Sequence, residues 1–240
     1  MKVRTPNESD RPESPYTLAI EGSTYEGSVA LIAGSKVVAE RTLAPDDAGI
    51  SRVGRGEQLM PAVADCLAET GVKPGEIARI VCGSGPGSFT SLRVAGSVAK
   101  GLAAGYGVEL FAVPSLLLTV TGAQPPLAAG EYLSVLDAMR GEFFAARVIL
   151  GSRGSGTRIE QTAILRADQL AEAGREHPPV RVAGPGQAIE ARPHARGVAP
   201  ILLSIIEAGP VDLASWEPDY GRLAEAQVRW EAAHGRPLVP

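Results

Sequence analysis

The chain is poor in the side chains that much catalytic chemistry uses. It has two cysteines, three histidines and three methionines in 240 residues, and aromatic residues make up 5%. Cys66 and Cys82 cannot frame a disulfide-stapled fold, and with the histidines far off in sequence they cannot build a zinc site. Both lie in apolar patterns and read as reduced core thiols. No apolar run reaches the ~18 residues of a membrane span. The polar, proline-containing start, Met1 to Pro15, lacks the apolar centre of a secretory signal and reads as a disordered tail. No long basic run is present, and the formal net charge is −4, which argues against a protein that grips nucleic acid by itself. These absences point to a cytoplasmic globular protein. The 45% apolar content allows a sizeable buried core.

What is present is a regular alternation of short apolar runs and helical patterns. Tyr16 to Glu21, Gly27 to Ala33 and Lys36 to Leu43 read as a strand meander. After a polar loop, Pro45 to Gly56, the segment Glu57 to Glu69 places Leu59, Met60, Val63, Cys66 and Leu67 at helical spacing, and Gly71 ends it. A strand from Ile77 to Cys82, a helix from Ser91 to Ala104 and a strand from Val108 to Val113 follow. The order then partly repeats: strands Glu131 to Asp137, Glu142 to Leu150 and Arg158 to Leu165, a helix Ala167 to Ala173, a strand Val180 to Ala183, and a helix Ile201 to Ala208. The repeat is architectural and not one of sequence identity. Such a duplicated order resembles the two facing lobes of actin-like proteins such as sugar kinases and actin. The expected fold is α/β, two-lobed and actin-like (ribonuclease H-like), with duplicated mixed sheets flanked by helices. The expected parts are a tail (1–15), an N-terminal lobe (16–113), a C-terminal lobe (114–216) and a C-terminal segment (217–240) that packs back on the first lobe.

In actin-like proteins the lobe hairpins and a late glycine turn hold a nucleotide. The matching stretches here are Ile20 to Thr24, Leu136 to Gly141 and Ala183 to Gly186. They supply Glu21, Asp137 and Gly184 as vestigial cofactor candidates. Glu21 and Asp137 are the acids that a Mg²⁺ ion would need, although Glu reaches about one bond further than Asp and disturbs a strict octahedral shell. The competing reading, which we favour, is that both carboxylates satisfy turn amides at strand ends. On that reading no cofactor, no metal and no catalytic residue is expected.

The turn Gly83-Ser84-Gly85-Pro86-Gly87-Ser88 between a strand and a helix brings the backbone close to something. Ser88 or Thr90 can cap the helix that follows. The turn is not a Walker A loop, since no Gly-Lys-Ser/Thr closes it. A tight structural turn that lets the helix pack on the sheet explains it more simply than a phosphate cradle. Ser84 and Ser88 lack a base that the sequence couples to them. His177, His194 and His234 sit in polar or proline-rich surroundings and read as solvated loop residues, so a peptidase reading finds no support.

The helix Ser91 to Ala104 is unusually rich in small residues, among them Ala95, Gly96, Ala99, Gly101 and Ala103. Interior glycine costs up to ~1 kcal/mol relative to alanine, so a close approach must compensate. Two readings stay open: intramolecular packing against the sheet and the preceding helix, or an apolar two-helix surface that docks a partner. The second assigns the interface to Leu59, Met60, Val63, Leu67, Leu92, Arg93, Ala95, Gly96, Ala99 and Ala103. It also expects Ala99→Arg to block docking while leaving the fold mostly intact.

Gly85-Pro86-Gly87-Ser88-Phe89-Thr90-Ser91-Leu92-Arg93 resembles the GPGSFTGLR segment of the TsaB (YeaZ) family. Asp137-Ala138-Met139-Arg140-Gly141-Glu142 resembles the family's Asp-Ala-Arg-x-Gly-Glu motif, and Glu217 to Arg222 its C-terminal Pro-x-Tyr-x-Arg segment. The resemblance implies a non-catalytic partner of a TsaD homologue, which transfers a threonylcarbamoyl group to the adenosine beside the tRNA anticodon. A small TsaE-type ATPase completes that assembly. Docking through the two N-lobe helices, a homodimer in the partner's absence, and tRNA contact only through the complex are implied as well. The sequence departs from the family at Glu21 (usually Asp), Ser91 (usually Gly) and Arg55 (often His). The reading from a different class is a stand-alone actin-like phosphotransferase or ATPase, with Glu21 and Asp137 on Mg²⁺ and the Gly184–Gly186 turn on adenine.

Overall fold

The computed structural model describes residues 15–43, 58–173, 175, 180–222 and 233–235. Strands β1 (Tyr16–Glu21), β2 (Ser28–Ala33) and β3 (Lys36–Thr42) form the expected antiparallel meander. Helix α1 (Leu59–Thr70), strand β4 (Ile77–Gly83), helix α2 (Phe89–Tyr106) and strand β5 (Glu109–Val113) follow. β4 and β5 join in parallel, giving the sheet order β3-β2-β1-β4-β5. Both helices end on left-handed glycines, Gly71 (φ 70°) and Gly107 (φ 68°), where a Cβ would be strained.

The two-residue period of these strands divides the core. Leu18, Ile20, Leu31, Ile80 and Cys82 face α1 and α2, while Ala19, Ala30, Ile32, Val81 and Val113 face the second half of the chain. Being covered on both faces, β1 and β2 are apolar almost throughout.

Helix α3 (Ser115–Thr121) leads into β6 (Gly130–Asp137), β7 (Glu142–Leu150), β8 (Arg158–Ile159), β9 (Ala163–Arg166) and helix α4 (Ala167–Ala173). Strands β10 (Arg181–Gly184) and β11 (Ile189–Glu190), a 3-10 helix (Ala195–Ile201) and helix α5 (Leu202–Ala208) complete the second half. The second sheet runs β11-β10-β6-β7-β8, with β9 also pairing β7. Two mixed sheets flanked by helices are the α/β arrangement that the sequence leads one to expect.

Three features differ from the sequence reading. The run Arg158 to Leu165 is two strands: the Glu160 N–H still donates to the Arg147 carbonyl at 2.9 Å, and Gln161 and Thr162 then leave the ladder. α3 escapes a periodicity argument: Ser-Leu-Leu-Leu-Thr-Val-Thr has no polar face of charged residues, and six of its seven residues, Ser115 and Thr119 included, are buried. α2 begins two residues early, at Phe89, with Ser88 in the N-cap position. The predicted tail (to Ser14), the loop Pro45 to Gly56, Arg55, the start of the first helix at Glu57 and His177 lie outside the described residues.

The two halves share one core. α3, the 3-10 helix and α5 pack between the sheets, so Ala19 and Val113 belong to the same apolar cluster as Tyr132, Val148, Val198 and Ile205. The polar rim of this seam is specific. Arg192 pairs with Glu26 at 2.8 Å, and the Ala195 N–H donates to Ser28 Oγ at 2.9 Å. Among the described residues, no helix is long and apolar enough to cross a membrane.

Candidate functional site

β1 delivers Glu21 to the end of the first sheet, where it is 1% exposed. Its Oε1 accepts the Ser23 N–H at 2.5 Å, and its Oε2 accepts the Ser115 hydroxyl at 2.9 Å. Ser115 Oγ in turn accepts the Gly85 N–H at 3.1 Å. Burial pushes the Glu21 carboxyl above its ordinary value, and the hydrogen bonds from Ser23 and Ser115 offset part of that rise. Gly83 is compulsory beside it, since a Cβ there would lie 1.9 Å from Oε2. Glu21 is therefore the anchor of a packed knot joining the β1 turn, the β4 turn and α3.

Asp137 ends β6 and is exposed, with Oδ1 accepting the Met139 N–H at 2.7 Å. That bond helps hold Met139 (φ 65°) and Arg140 (φ 59°) in the left-handed region, which non-glycine residues seldom occupy. Glu142 opens β7 and pairs with Arg222. Gly184 ends β10 against the Val135 carbonyl, with room for no side chain, and its own carbonyl accepts from Gln187 at 3.2 Å. Two residues on, the Gly186 N–H is taken by Glu190 Oε2 at 2.7 Å.

One pattern unites the three candidate nucleotide turns, the two hairpins expected on phosphate and the glycine turn expected on adenine. A turn amide is already bonded in each by a carboxylate of the chain itself: Ser23 by Glu21, Met139 by Asp137 and Gly186 by Glu190. An acid on the amide both occupies the donor and repels a phosphate. No hydrogen bond or ion pair joins Glu21, Asp137 and Gly184 among the described residues. Nor does any group of three or more His, Cys, Asp or Glu there have the arrangement of a metal site.

The glycine turn is a packing device in this structure. The Ser88 N–H donates to the Ser23 carbonyl at 2.7 Å, and a Cβ on Gly87 would lie 2.1 Å from that oxygen. Ser88 makes no side-chain cap; its hydroxyl accepts from Ser91 at 3.0 Å. Gly22 meets α2 so closely that its Cβ would lie 2.5 Å from that of Ala95.

The proposed helix surface needs correction. Leu59, Val63, Leu92, Ala95, Gly96, Ala99 and Ala103 are buried within the chain. Leu59, Val63, Ala95, Ala99 and Ala103 belong to the apolar cluster between the helices and the sheet. Gly96 abuts Pro218 and Trp216. The close approach that compensates for the small residues is thus intramolecular at these positions. Ala99 is 0% exposed, so Ala99→Arg breaks the core and cannot report on docking alone. Met60, 45% exposed, the half-buried Leu67 and the exposed Arg93 remain at the surface.

No local pattern signals what surrounds Arg93. Its guanidinium lies 4.1 Å from the Phe89 ring centroid and 5.7 Å from that of Tyr220, and the two rings are 4.6 Å apart. The segment that carries Tyr220 is fixed to the first half by bonds from Val211 N–H to Leu110 O (2.8 Å), Asp219 N–H to Ser84 O (2.7 Å) and Lys100 Nζ to Trp216 O (3.0 Å). His194 is also corrected. It is 8% exposed, with Nε2 2.9 Å from Thr42 Oγ1 and Nδ1 accepting from the Arg196 N–H at 3.1 Å. Burial and the Arg196 charge push its pKa down to about 3, so it is neutral and structural. Cys66 and Cys82 are buried free thiols, and burial raises the first to about 11.

The chain is 30% identical over 155 residues to the tRNA threonylcarbamoyladenosine biosynthesis protein TsaB of Escherichia coli K12, covering 65% of this chain and 64% of that protein. It thus spans just under two thirds of that relative. It is 27% identical to the TsaB protein of Bacillus subtilis 168 over 230 residues, covering 89% of this chain and 96% of the other. The solved structure of YeaZ from Pseudomonas aeruginosa superposes with a TM-score of 0.70 at 23% identity, covering 86% of this chain and 99% of that one, which establishes the two-lobed fold. Residues 54–191, more than half of the chain, match the family model described as TsaD, tRNA N6-adenosine threonylcarbamoyltransferase. The chain belongs to that family, as a TsaB (YeaZ)-type member with the actin-like fold.

Proposed function

We propose that this chain is an accessory, non-catalytic subunit of tRNA N6-threonylcarbamoyladenosine biosynthesis. It docks on a TsaD-type transferase, with a TsaE-type ATPase completing the assembly in the cytoplasm. The observation that carries the reading is the occupation of all three turn amides by Glu21, Asp137 and Glu190. With its own carboxylates in those positions, the chain contributes a surface and leaves the chemistry to its partner. The names of its relatives, tRNA threonylcarbamoyladenosine biosynthesis proteins, agree. So does the net charge of −4, which leaves tRNA contact mainly to the partners.

The docking surface combines the exposed faces of α1 and α2: Met60, Leu67 and Arg93, with Phe89 (37% exposed) beside Arg93. An arginine braced on aromatic rings is pre-ordered, which lowers the entropy lost on association. A homodimer formed without the partner uses the same face.

The test mixes the purified chain with the TsaD protein of its own organism and follows size-exclusion chromatography with light scattering. Co-elution as a defined heteromer is expected. Met60→Glu weakens it at least about tenfold, as expected for a charge in an interface core. Leu203→Glu, at a position 76% exposed on the second half, leaves it unchanged. Separate peaks, or ATP binding by the isolated chain that Asp137→Ala abolishes, would refute the reading.

A further inference from the structure

A groove of about 850 Å³ lies beside the outer edge of β3, walled by the second half of the chain. It is separate from the three turns and from Met60, Leu67 and Arg93, and takes only Glu69 from α1. Val37, Leu127, Leu150 and Ala199 give it an apolar wall. Its charged groups gather on one side: Glu40, Arg41, Glu69 and Arg196. This combination, an apolar body with a few convergent polar groups where two halves of a protein meet, is the form of a small-molecule site, and the volume suits a ligand of ordinary metabolite size.

The two arginines are not equivalent. Arg41 is committed at both ends of its fork, donating from Nη1 to the Glu40 carbonyl at 2.8 Å and pairing through Nη2 with Glu69 at 2.7 Å. Arg196 is held by its inner nitrogen alone. Nε lies 3.1 Å from Glu40 Oε2 and 2.9 Å from His194 Nδ1. Nη1 and Nη2 have no hydrogen-bond partner among the described residues. The side chain is 17% exposed and lines the groove. Burial lowers the Arg196 pKa in spite of Glu40, so the pair leaves the guanidinium undercompensated. Neutral His194 fixes Nε from behind, which keeps the outer fork in place.

We propose that this groove binds a small amphipathic carboxylate, its headgroup on the Nη1–Nη2 fork of Arg196 and its apolar chain along Val37, Leu127 and Leu150. A planar carboxylate matches a guanidinium fork bidentately. Its single charge suits a site that already contains Glu40 and Glu69, which a doubly charged phosphate would meet with greater repulsion.

The probe is decanoate, with decanol as the uncharged chain of equal length, both titrated into the full chain by calorimetry. One decanoate per chain is expected, with decanol weaker by about tenfold or more, the size of a charge-assisted hydrogen-bonded contact. Arg196→Gln should bring decanoate down to the decanol affinity. Ala129→Trp, at an exposed position on the groove that forms no hydrogen bond with Arg196 or Glu40, should abolish both and keeps the test independent of whether the arginine variant folds. Absence of decanoate binding, equal affinity for decanol, or binding retained in Ala129→Trp would overturn the proposal.

Discussion

His194 and Glu21 are buried ionisable groups with opposite pH signatures. The folded pKa of His194 lies near 3, below its ordinary 6.5. Its neutral form therefore stabilises the fold fully above pH 6.5, and that contribution drains as pH falls toward 3, at about 1.4 kcal/mol per unit. His194→Gln should flatten this acid limb in urea titrations across the range. Glu21 is raised above its ordinary 4.5, so its contribution is complete below that pH and is lost as pH rises toward the folded value. Glu21→Gln keeps an oxygen for the Ser23 N–H and removes the charge. It should remove this alkaline-going loss and leave the His194 limb in place. The reading that Glu21 serves turn amides was available from its place at the end of a strand. Its second partner was not, because Ser115 lies 94 positions away and no local pattern couples the two.

Within α2, the glycines and alanines divide into positions that need smallness and positions that do not. Ala95 faces Gly22, and Gly96 faces Pro218. Gly101 is exposed and helical, and beyond its own helical turn no atom lies within 4 Å of where its Cβ would stand. Gly101→Ala should therefore stabilise the protein by up to ~1 kcal/mol in thermal or urea unfolding. Ala99→Arg buries an unpaired cation at a site with 0% exposure and should cost several kcal/mol, visible as loss of the cooperative transition. Composition alone identified this helix as closely packed. It could not say against what, because 3.6-residue periodicity marks a face and not its partner. The same limit hid α3, whose burial on every side erases the periodic signal.

At the scale of the molecule, the two sheets close on one shared core, and the seam carries directional bonds: Arg192–Glu26, Arg196–Glu40, His194–Thr42 and Ala195–Ser28. A nucleotide-driven actin-like enzyme needs lobes that move about a hinge. Here the rim bonds and the shared core tie the two halves together. Ser28→Ala would leave the buried Ala195 N–H unpaired, at a cost of about 1–3 kcal/mol. Because the halves share a core, that loss should lower a single calorimetric transition instead of splitting it into two.

The order of elements, the duplicated α/β plan and the family were legible in local sequence. Period-two strands, a helix with Gly71 behind it and the Gly85–Arg93 motif are properties of neighbouring residues, and chain connectivity fixes them. Long-range geometry decided which faces are buried. The small residues of α2 turned inward on Gly22 and the sheet, and His194 moved from an assumed loop into the seam. The acids at the strand ends lie against amides within four residues, but Glu21 is locked only when α3 arrives with Ser115. Local patterning states what each segment tends to form. Which side chains lose their water depends on contacts tens of residues apart, and those exist only once both halves have packed.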